Sequence, residues 1–327
     1  MMPEHLDSAH PDTIFSWTEA AELDGYRMML QIRRFEEKVA QLYAMGHIAA
    51  LAPLSIGQEA VAAGLVLAAQ PADVMMTGSR PHGLMLARGL APDRLMAALL
   101  AEKSRPIGTA SLVPDVFVAD SALTRLLLAR HILLQAPGAE ALNQIIAACG
   151  PGQAAVWVVG DGSEAPDPLL DAILRASTVA LPVVAVIETP QSDVPGMGPC
   201  SATPSELFAR CLAAGVRCVQ VNGLDVRHVK AAAEAALVSA RSGLGVTVLE
   251  IMTYQYQGHT LGAGQSSRTA RPRHETDPVA KARARIADAG GAAAEAKLKD
   301  IDHSVRAAVS AALATVRAGF GEARLSP

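Results

Sequence analysis

The chain has 327 residues, of which 50% are hydrophobic, and a formal net charge of -4. This length and hydrophobic content are sufficient for a large core in one or two domains. The balanced charge excludes a basic nucleic-acid-binding surface, and no apolar run reaches the roughly 18–20 residues of a membrane span. The polar, acidic start is typical neither of a secretory signal nor of a basic transit segment.

The four cysteines, Cys149, Cys200, Cys211 and Cys218, show neither a metal-binding CxxC spacing nor a dense disulfide pattern. We interpret them as buried, inert free thiols in a reducing cytoplasm. Only 3% of the residues are aromatic, whereas alanine and leucine are abundant. This composition favours a helix-rich α/β protein with an aliphatic core over a β-sandwich.

In the first half of the chain, apolar residues near 3.6-residue spacing predict a helix over residues 17–46. A second helix is expected after Pro53, then a short buried strand over 73–77 and a helix over 92–102. His82 is expected in a turn before a helix, in a structural role. Proline and glycine interrupt the pattern between residues 102 and 120, which predicts a loop.

The second half alternates helices with short apolar runs. The pattern predicts helices at 121–149, 167–178, 205–214 and 225–242, and strands at 154–159, 182–187, 217–221 and 246–252. A second long loop is expected from Pro190 to Pro204. Helical spacing returns across 279–289 and 293–316.

Strands that alternate with helices in this way indicate a doubly wound, mainly parallel sheet. We find no internal repeat and no clear linker. The sequence therefore predicts a flexible N-terminus over residues 1–16, one α/β domain over 17–276, and a helical C-terminal extension of that domain over 277–327.

The end of the predicted strand 154–159 carries the most informative motif, Gly160-Asp161-Gly162. The next predicted strand ends in Glu188-Thr189-Pro190. In α/β enzymes, a carboxylate after one strand and an oxygen ligand after the next can hold a metal bound to a diphosphate. The chain has the first of these two parts, whereas proline stands where the second is expected.

Several further motifs appear in a fixed order: 32–38 IRRFEEK, 55–60 SIGQEA, 80–83 RPHG, 160–162 GDG, 221–226 VNGLDV and 253–260 TYQYQGHT. With these motifs the chain resembles the alpha subunit of the thiamine-diphosphate-dependent 2-oxo acid dehydrogenases of the pyruvate, acetoin and branched-chain types. The resemblance extends from about residue 20 to about residue 320. It implies the thiamine-diphosphate-binding fold.

In this family the alpha subunit pairs with a beta subunit as an α2β2 heterotetramer, and thiamine diphosphate lies at their interface. The resemblance implies that the alpha subunit binds Mg²⁺ and the diphosphate. The cofactor decarboxylates the 2-oxo acid, and the acyl group passes to a lipoyl-bearing acyltransferase. A homodimer is the other assembly that we expect.

By this resemblance, Asp161 matches the Mg²⁺ carboxylate ligand, and Gly160 and Gly162 allow the backbone to approach a phosphate. The second Mg²⁺ ligand, an asparagine in the family, falls on Pro190. Proline has neither a side-chain oxygen nor an N–H group, so it cannot replace a ligand at an octahedral oxygen site. A third ligand, a backbone carbonyl, would come from Ser192.

Other expected cofactor contacts also differ from the family. The diphosphate-binding tyrosine–arginine pair is Ser79-Arg80, and Arg80 is either a phosphate contact or part of a structural ion pair. The glycine-rich cofactor loop expected near 104–115 is not matched, and an active-site histidine is replaced by Pro53. Glu164 and Asp167 either cap a helix N-terminus or bring negative charge towards the diphosphate.

His259 matches the histidine of the family's active-site loop, and Arg268 is expected to help order that loop. We consider His259 as a proton carrier or anion contact, or as a surface or interface histidine without a catalytic role. No nucleophile elbow, Walker loop or His/Cys metal cluster offers a different catalytic centre.

Two functional hypotheses follow. The favoured one is a degenerate paralogue, non-catalytic or regulatory, in which binding of thiamine diphosphate and Mg²⁺ is impaired or absent. The alternative is an active alpha subunit that performs oxidative decarboxylation with an unusual cofactor site. The sequence does not identify the 2-oxo acid.

Overall fold

The computed structural model describes residues 17–48, 54–77, 80–101, 121–134, 138–160, 166–191, 204–254 and 276–320. The helices that it defines are α1 Glu19–Ala44, α2 Glu59–Ala68, α3 Pro81–Ala87, α4 Pro92–Ala101, α5 Ser121–Leu128, α6 Gly138–Ala148, α7 Pro166–Thr178, α8 Glu206–Ala213, α9 Val226–Arg241 and α10 Pro278–Phe320. The strands are β1 Val74–Thr77, β2 Ile132–Leu134, β3 Ala155–Gly160, β4 Val183–Gln191, β5 Arg217–Asn222 and β6 Thr247–Tyr254.

All six strands form one parallel sheet in the order β2-β1-β3-β4-β6-β5. The chain passes from β1 to β2 on one side, and then returns to β3 on the other side of β1. The direction of winding therefore reverses between β1 and β3. In open parallel sheets, such a reversal opens a crevice at the carboxyl ends of the strands, where ligands bind.

Helices cover both faces of the sheet, which explains why the central strands are continuous apolar runs rather than alternating ones. On one face, Val61 and Leu65 of α2 and Val229 of α9 pack against β1, β3 and β4. On the other face, α6, α7 and α8 enclose a second core around Trp157 and Phe208. The predicted doubly wound α/β fold is confirmed.

An outer layer of helices packs on α2. The side chain of Thr18 caps α1 by accepting a hydrogen bond from the Ala21 amide at 3.2 Å. Tyr26 and Leu30 of α1 contact α10, which forms the C-terminal extension. The sequence predicts two helical segments in this extension, and the break between them is Gly291, which has a φ of 55° and a ψ of -141°.

The predicted long helix over residues 121–149 is wrong. The structure has α5, then β2, then α6 in this range. His131 adopts a φ of 54°, which a right-handed helix cannot continue, and Ile132 pairs in parallel with Met75 of β1. An apolar run as short as Ile132–Leu134 is compatible with helix and strand, and its pairing with β1 decides between them.

The cysteine prediction is only partly confirmed. Cys149, Cys211 and Cys218 are free thiols, as predicted, but only Cys211 is buried and the other two are partly exposed. Burial raises the pKa of Cys211 and Cys149 to about 11. All three are therefore poor nucleophiles at neutral pH. Cys200 lies outside the described residues.

Candidate functional site

Two of the predicted site residues lie at the point where the winding of the sheet reverses. Arg80 precedes the first turn of α3, just after β1, and Gly160 is the last residue of β3. Gly160 has a φ of 97°, a conformation that favours glycine. The backbone therefore leaves β3 in a turn that a residue with a side chain would adopt only with strain. Asp161, Gly162 and His259 lie outside the described residues.

A small cleft opens beside Arg80. Its lining combines apolar residues of α2 with polar side chains from four parts of the chain, namely Ser55, Gln58, Thr77, Arg80 and Glu188. The room inside is about 20 Å³, which is enough for one water molecule. The fold thus brings Arg80 next to Glu188, a buried residue near the carboxyl end of β4.

Gln58 orients the guanidinium group of Arg80. Arg80 Nη1 donates to Gln58 Oε1 at 3.1 Å, and the buried Gln58 side chain is fixed at the start of α2. Within the described ranges, Gln58 Nε2 and Ser55 Oγ are buried without a hydrogen-bond partner. Arg80 presents five N–H donors, so this contact is compatible with an anion-binding role and with a structural role.

Pro190 lies in strand β4, not at the start of a loop as the sequence predicts. It stands opposite Thr253 of β6, and the parallel pairing continues to Gln191 opposite Tyr254. Strand β3 ends earlier, because its last residue, Gly160, pairs with Ile187. Among the described residues, β4 beyond Ile187 is therefore flanked by β6 alone, and a proline is tolerated where one side of a strand is unpaired.

A buried contact between a carboxyl group and a histidine joins three elements near Arg80. Glu36 Oε2 is 3.2 Å from His82 Nδ1, and Glu36 Oε1 accepts a hydrogen bond from the Ser55 amide at 3.1 Å. His82 is fully buried and lies within α3 rather than in a turn before it. These contacts join α1, the segment before α2 and α3, and so they fix the position from which Arg80 projects.

Arg33 links the same region to the C-terminal extension. Its guanidinium donates to Glu59 Oε1 at 2.5 Å and makes two hydrogen bonds to Asp277, at 2.9 and 3.1 Å. Although burial alone would lower the pKa of Arg33, the two carboxylates raise it above its ordinary value. Asp277 also accepts from the amides of Val279 and Ala280, and so it caps α10.

Asp167 forms an exposed ion pair with the next helix along the chain. It lies in the first turn of α7, and its Oδ1 accepts a hydrogen bond from Arg210 Nη1 of α8 at 2.6 Å. Arg210 therefore offsets a charge that the sequence places near a diphosphate. Glu164 and residues 104–115 lie outside the described residues, as do Ser192 and Arg268.

Gln58 and Glu188 were not predicted as lining residues. Both lie within motifs that the sequence shows, and their positions at the start of a helix and near the end of a strand were available signals. Among the described residues, no group of three or more His, Cys, Asp or Glu side chains could hold a metal ion. In the same ranges, no helix is both long and apolar enough to cross a membrane.

Comparison with known proteins matches this sequence to a family of dehydrogenase components. The family model for the dehydrogenase E1 component matches residues 26–320. The chain is 33% identical over 300 residues to the pyruvate dehydrogenase E1 component subunit alpha of Rhizobium meliloti, covering 90% of this chain and 85% of that protein. Identity to the same subunit of Zymomonas mobilis is 32% over 296 residues, covering 89% and 82%. The human somatic, mitochondrial form is 28% identical over 297 residues, covering 87% and 72%.

Proposed function

We propose a function for this chain on the basis of its family. The chain belongs to the dehydrogenase E1 component family, as an alpha subunit of the thiamine-diphosphate-dependent 2-oxo acid dehydrogenases. Its relatives in Rhizobium meliloti and Zymomonas mobilis are pyruvate dehydrogenase alpha subunits. On this basis the chain assembles with a beta-type subunit as an α2β2 complex, or with itself as a homodimer. Within that assembly it is a non-catalytic or regulatory paralogue with impaired or absent binding of thiamine diphosphate and Mg²⁺.

The observation that carries the proposal is the position of Pro190 in strand β4. By family resemblance this position supplies a side-chain oxygen to Mg²⁺, and proline has none. The register opposite Thr253 fixes the backbone of Pro190 to β6, so a neighbouring residue cannot slide into its place without breaking the pairing. Mg²⁺ requires near-octahedral oxygen ligation, which this arrangement does not complete.

The phosphate side of the site is better preserved. Arg80 and Gly160 lie at adjacent strand ends, where a guanidinium can bind an anion and a glycine lets the backbone approach it. Each charge-assisted hydrogen bond contributes about 1.5–3 kcal/mol, so the loss of a metal ligand and several diphosphate donors outweighs what Arg80 retains. The residues therefore fit a phosphate group but not its metal ion, and we derive no decarboxylation step from them.

Arg80 and Gly160, on the phosphate side of the site, also support a second function. If the metal were held by Asp161 and by groups from the beta-type subunit, the chain would be an active alpha subunit. It would then decarboxylate a 2-oxo acid, of the pyruvate or acetoin type, and pass the acyl group to a lipoyl-bearing acyltransferase. In this case His259 would contact the reacting groups. The free thiols support a cytoplasmic location for either function.

Calorimetric titration distinguishes the two functions. Thiamine diphosphate with Mg²⁺ is titrated into the chain alone and into the complex with a co-expressed beta-type subunit. The proposal predicts no Mg²⁺-dependent binding in the micromolar range. Micromolar binding that requires Mg²⁺ and is abolished by Asp161→Ala would reject it and support the active alpha subunit.

A further inference from the structure

A single buried carboxylate holds the carboxyl end of β4 against the start of α8. Glu250 is fully buried in β6, where it pairs with Ile187 of β4 on one side and with Gln220 of β5 on the other. Its Oε1 accepts hydrogen bonds from Thr189 Oγ1 at 3.0 Å and from the Ser205 amide at 2.7 Å. Its Oε2 accepts from Gln220 Nε2 at 2.7 Å.

The two donors to Oε1 come from either side of one stretch of chain. Thr189 immediately precedes Pro190, and Ser205 is the N-cap residue of α8, whose side chain accepts from the Phe208 amide at 3.3 Å. Residues 190–204 thus begin and end at groups that bind the same oxygen atom. The separation of these two ends is set by Glu250 as well as by the β4–β6 pairing.

The side chain of Glu250 accepts hydrogen bonds from donors on both of its sides. The three donors are uncharged, and together they satisfy both oxygens of a carboxylate that burial has removed from water. Glutamine would keep one oxygen towards Thr189 and Ser205, and the amide of Gln220 could turn its own oxygen towards the new N–H groups, so it is a conservative replacement. Methionine has a similar length but no oxygen, so it loses all three hydrogen bonds.

We propose that Glu250 is a positioning residue for the site at the end of β4. By holding Thr189 and Ser205 on one oxygen, it fixes the position of the backbone at the carboxyl end of β4. The inference about cofactor binding rests on the proposed function, in which residue 190 is the missing metal ligand. The tie between Thr189 and Ser205 is independent of that function.

Amide hydrogen exchange at Ser205, measured in the full-length chain, tests directly whether Glu250 holds this residue in place. Glu250→Met is expected to accelerate exchange of this amide about tenfold or more, because the amide loses its acceptor. The matched control Gln220→Leu removes only the bond from β5, and exchange at Ser205 should stay within about twofold of the original chain. Unchanged exchange at Ser205 in Glu250→Met would overturn the proposal.

A second variant keeps the test decisive. If Glu250→Met does not fold, Thr189→Val removes only the hydrogen bond from β4, and exchange should rise at Gln191 while staying slow at Ser205. An effect of Thr189→Val no larger than that of Gln220→Leu at both positions would contradict the tie.

The positioning role of Glu250 is measured in a variant in which residue 190 is again an asparagine, the metal ligand that the family resemblance implies. Pro190→Asn is expected to give Mg²⁺-dependent binding of thiamine diphosphate, and adding Glu250→Met should weaken it about tenfold, whereas adding Gln220→Leu should not. Equal binding with and without Glu250→Met would refute the positioning role. Failure of Pro190→Asn to bind at all would instead count against residue 190 as the missing metal ligand, and Ser205 exchange would still decide the role of Glu250.

Discussion

Pro190 of β4 stands directly opposite Thr253 of β6 in the parallel sheet. Thr253 is fully buried, and within the described part of the chain its hydroxyl group has no hydrogen-bond partner. A proline at position 190 cannot supply one, because it has no polar side-chain atom. The end of β4 therefore places a buried hydroxyl group opposite a residue that cannot bind it.

Removing the hydroxyl group of Thr253 should not destabilise the folded protein. Thr253→Val is expected to leave the free energy of unfolding unchanged or raise it by about 1 kcal/mol, since an unpartnered buried hydroxyl is replaced by a methyl group. The control Thr189→Val removes a hydroxyl that donates to Glu250 and should cost about 1 kcal/mol. Chemical denaturation measures both. A loss in Thr253→Val as large as that in Thr189→Val would show that Thr253 has an unrecognised partner.

The buried ion pairs of Arg33 should dominate the attachment of the C-terminal extension. Arg33→Met leaves Glu59 and Asp277 as uncompensated buried carboxylates and should cost about 3–5 kcal/mol in the free energy of unfolding. The matched control is Arg175→Met, because the ion pair of Arg175 with Asp171 is largely exposed, and it should cost no more than about 0.5 kcal/mol. Equal losses in the two variants would contradict this account.

Stability at acid pH should depend on Asp225. Although burial alone would raise the pKa of Asp225, contacts with Arg227 and Arg285 lower it to about 2. A lowered pKa stabilises the folded state above the unfolded value near 3.9, and this contribution of about 2 kcal/mol is lost as the pH falls from about 4 to about 2. Asp225→Asn should remove that part of the pH dependence. A free energy of unfolding that falls as steeply in Asp225→Asn as in the original chain would refute this assignment.

The packing of α2 on α9 requires glycine at position 64. A Cβ atom there would lie 2.6 Å from the Cβ of Val229, which is too close for any side chain. Gly64→Ala is therefore expected to cost about 1–3 kcal/mol despite the higher helix propensity of alanine. Gly319→Ala is the matched control, because no atom lies within 4 Å of its Cβ position. Thermal unfolding should separate the two variants, and equal midpoints would contradict the close approach.

Much of the fold could be predicted from the sequence, because most elements carry a clear periodicity and turn signals. An exception is the range 121–149, where one long helix was predicted because the short apolar run 132–134 is compatible with both a helix and a strand. Only the pairing of Ile132 with Met75 distinguishes them, and this contact is made by residues far apart in the chain. The break at Gly291 was visible as a gap between two helical patterns.

The candidate site was less predictable. Arg80 and Gly160 could be recognised from motifs, and the fold places them at neighbouring strand ends as parallel topology requires. The partner of Arg80 could not be recognised, because Gln58 reaches it from another helix. The extension of β4 through Pro190 was also missed, since proline is a breaker in sequence patterns and its pairing with β6 is a tertiary feature.

The central claim is that Pro190 denies Mg²⁺ a ligand, and the most direct test compares the chain with its Pro190→Asn variant. Binding of thiamine diphosphate is measured calorimetrically with Mg²⁺ and with a chelator, each in complex with a beta-type subunit. The account predicts no difference between the two conditions for the original chain, and binding at least about tenfold tighter with Mg²⁺ for Pro190→Asn. Tight, Mg²⁺-dependent binding by the original chain, unchanged in Pro190→Asn, would contradict it.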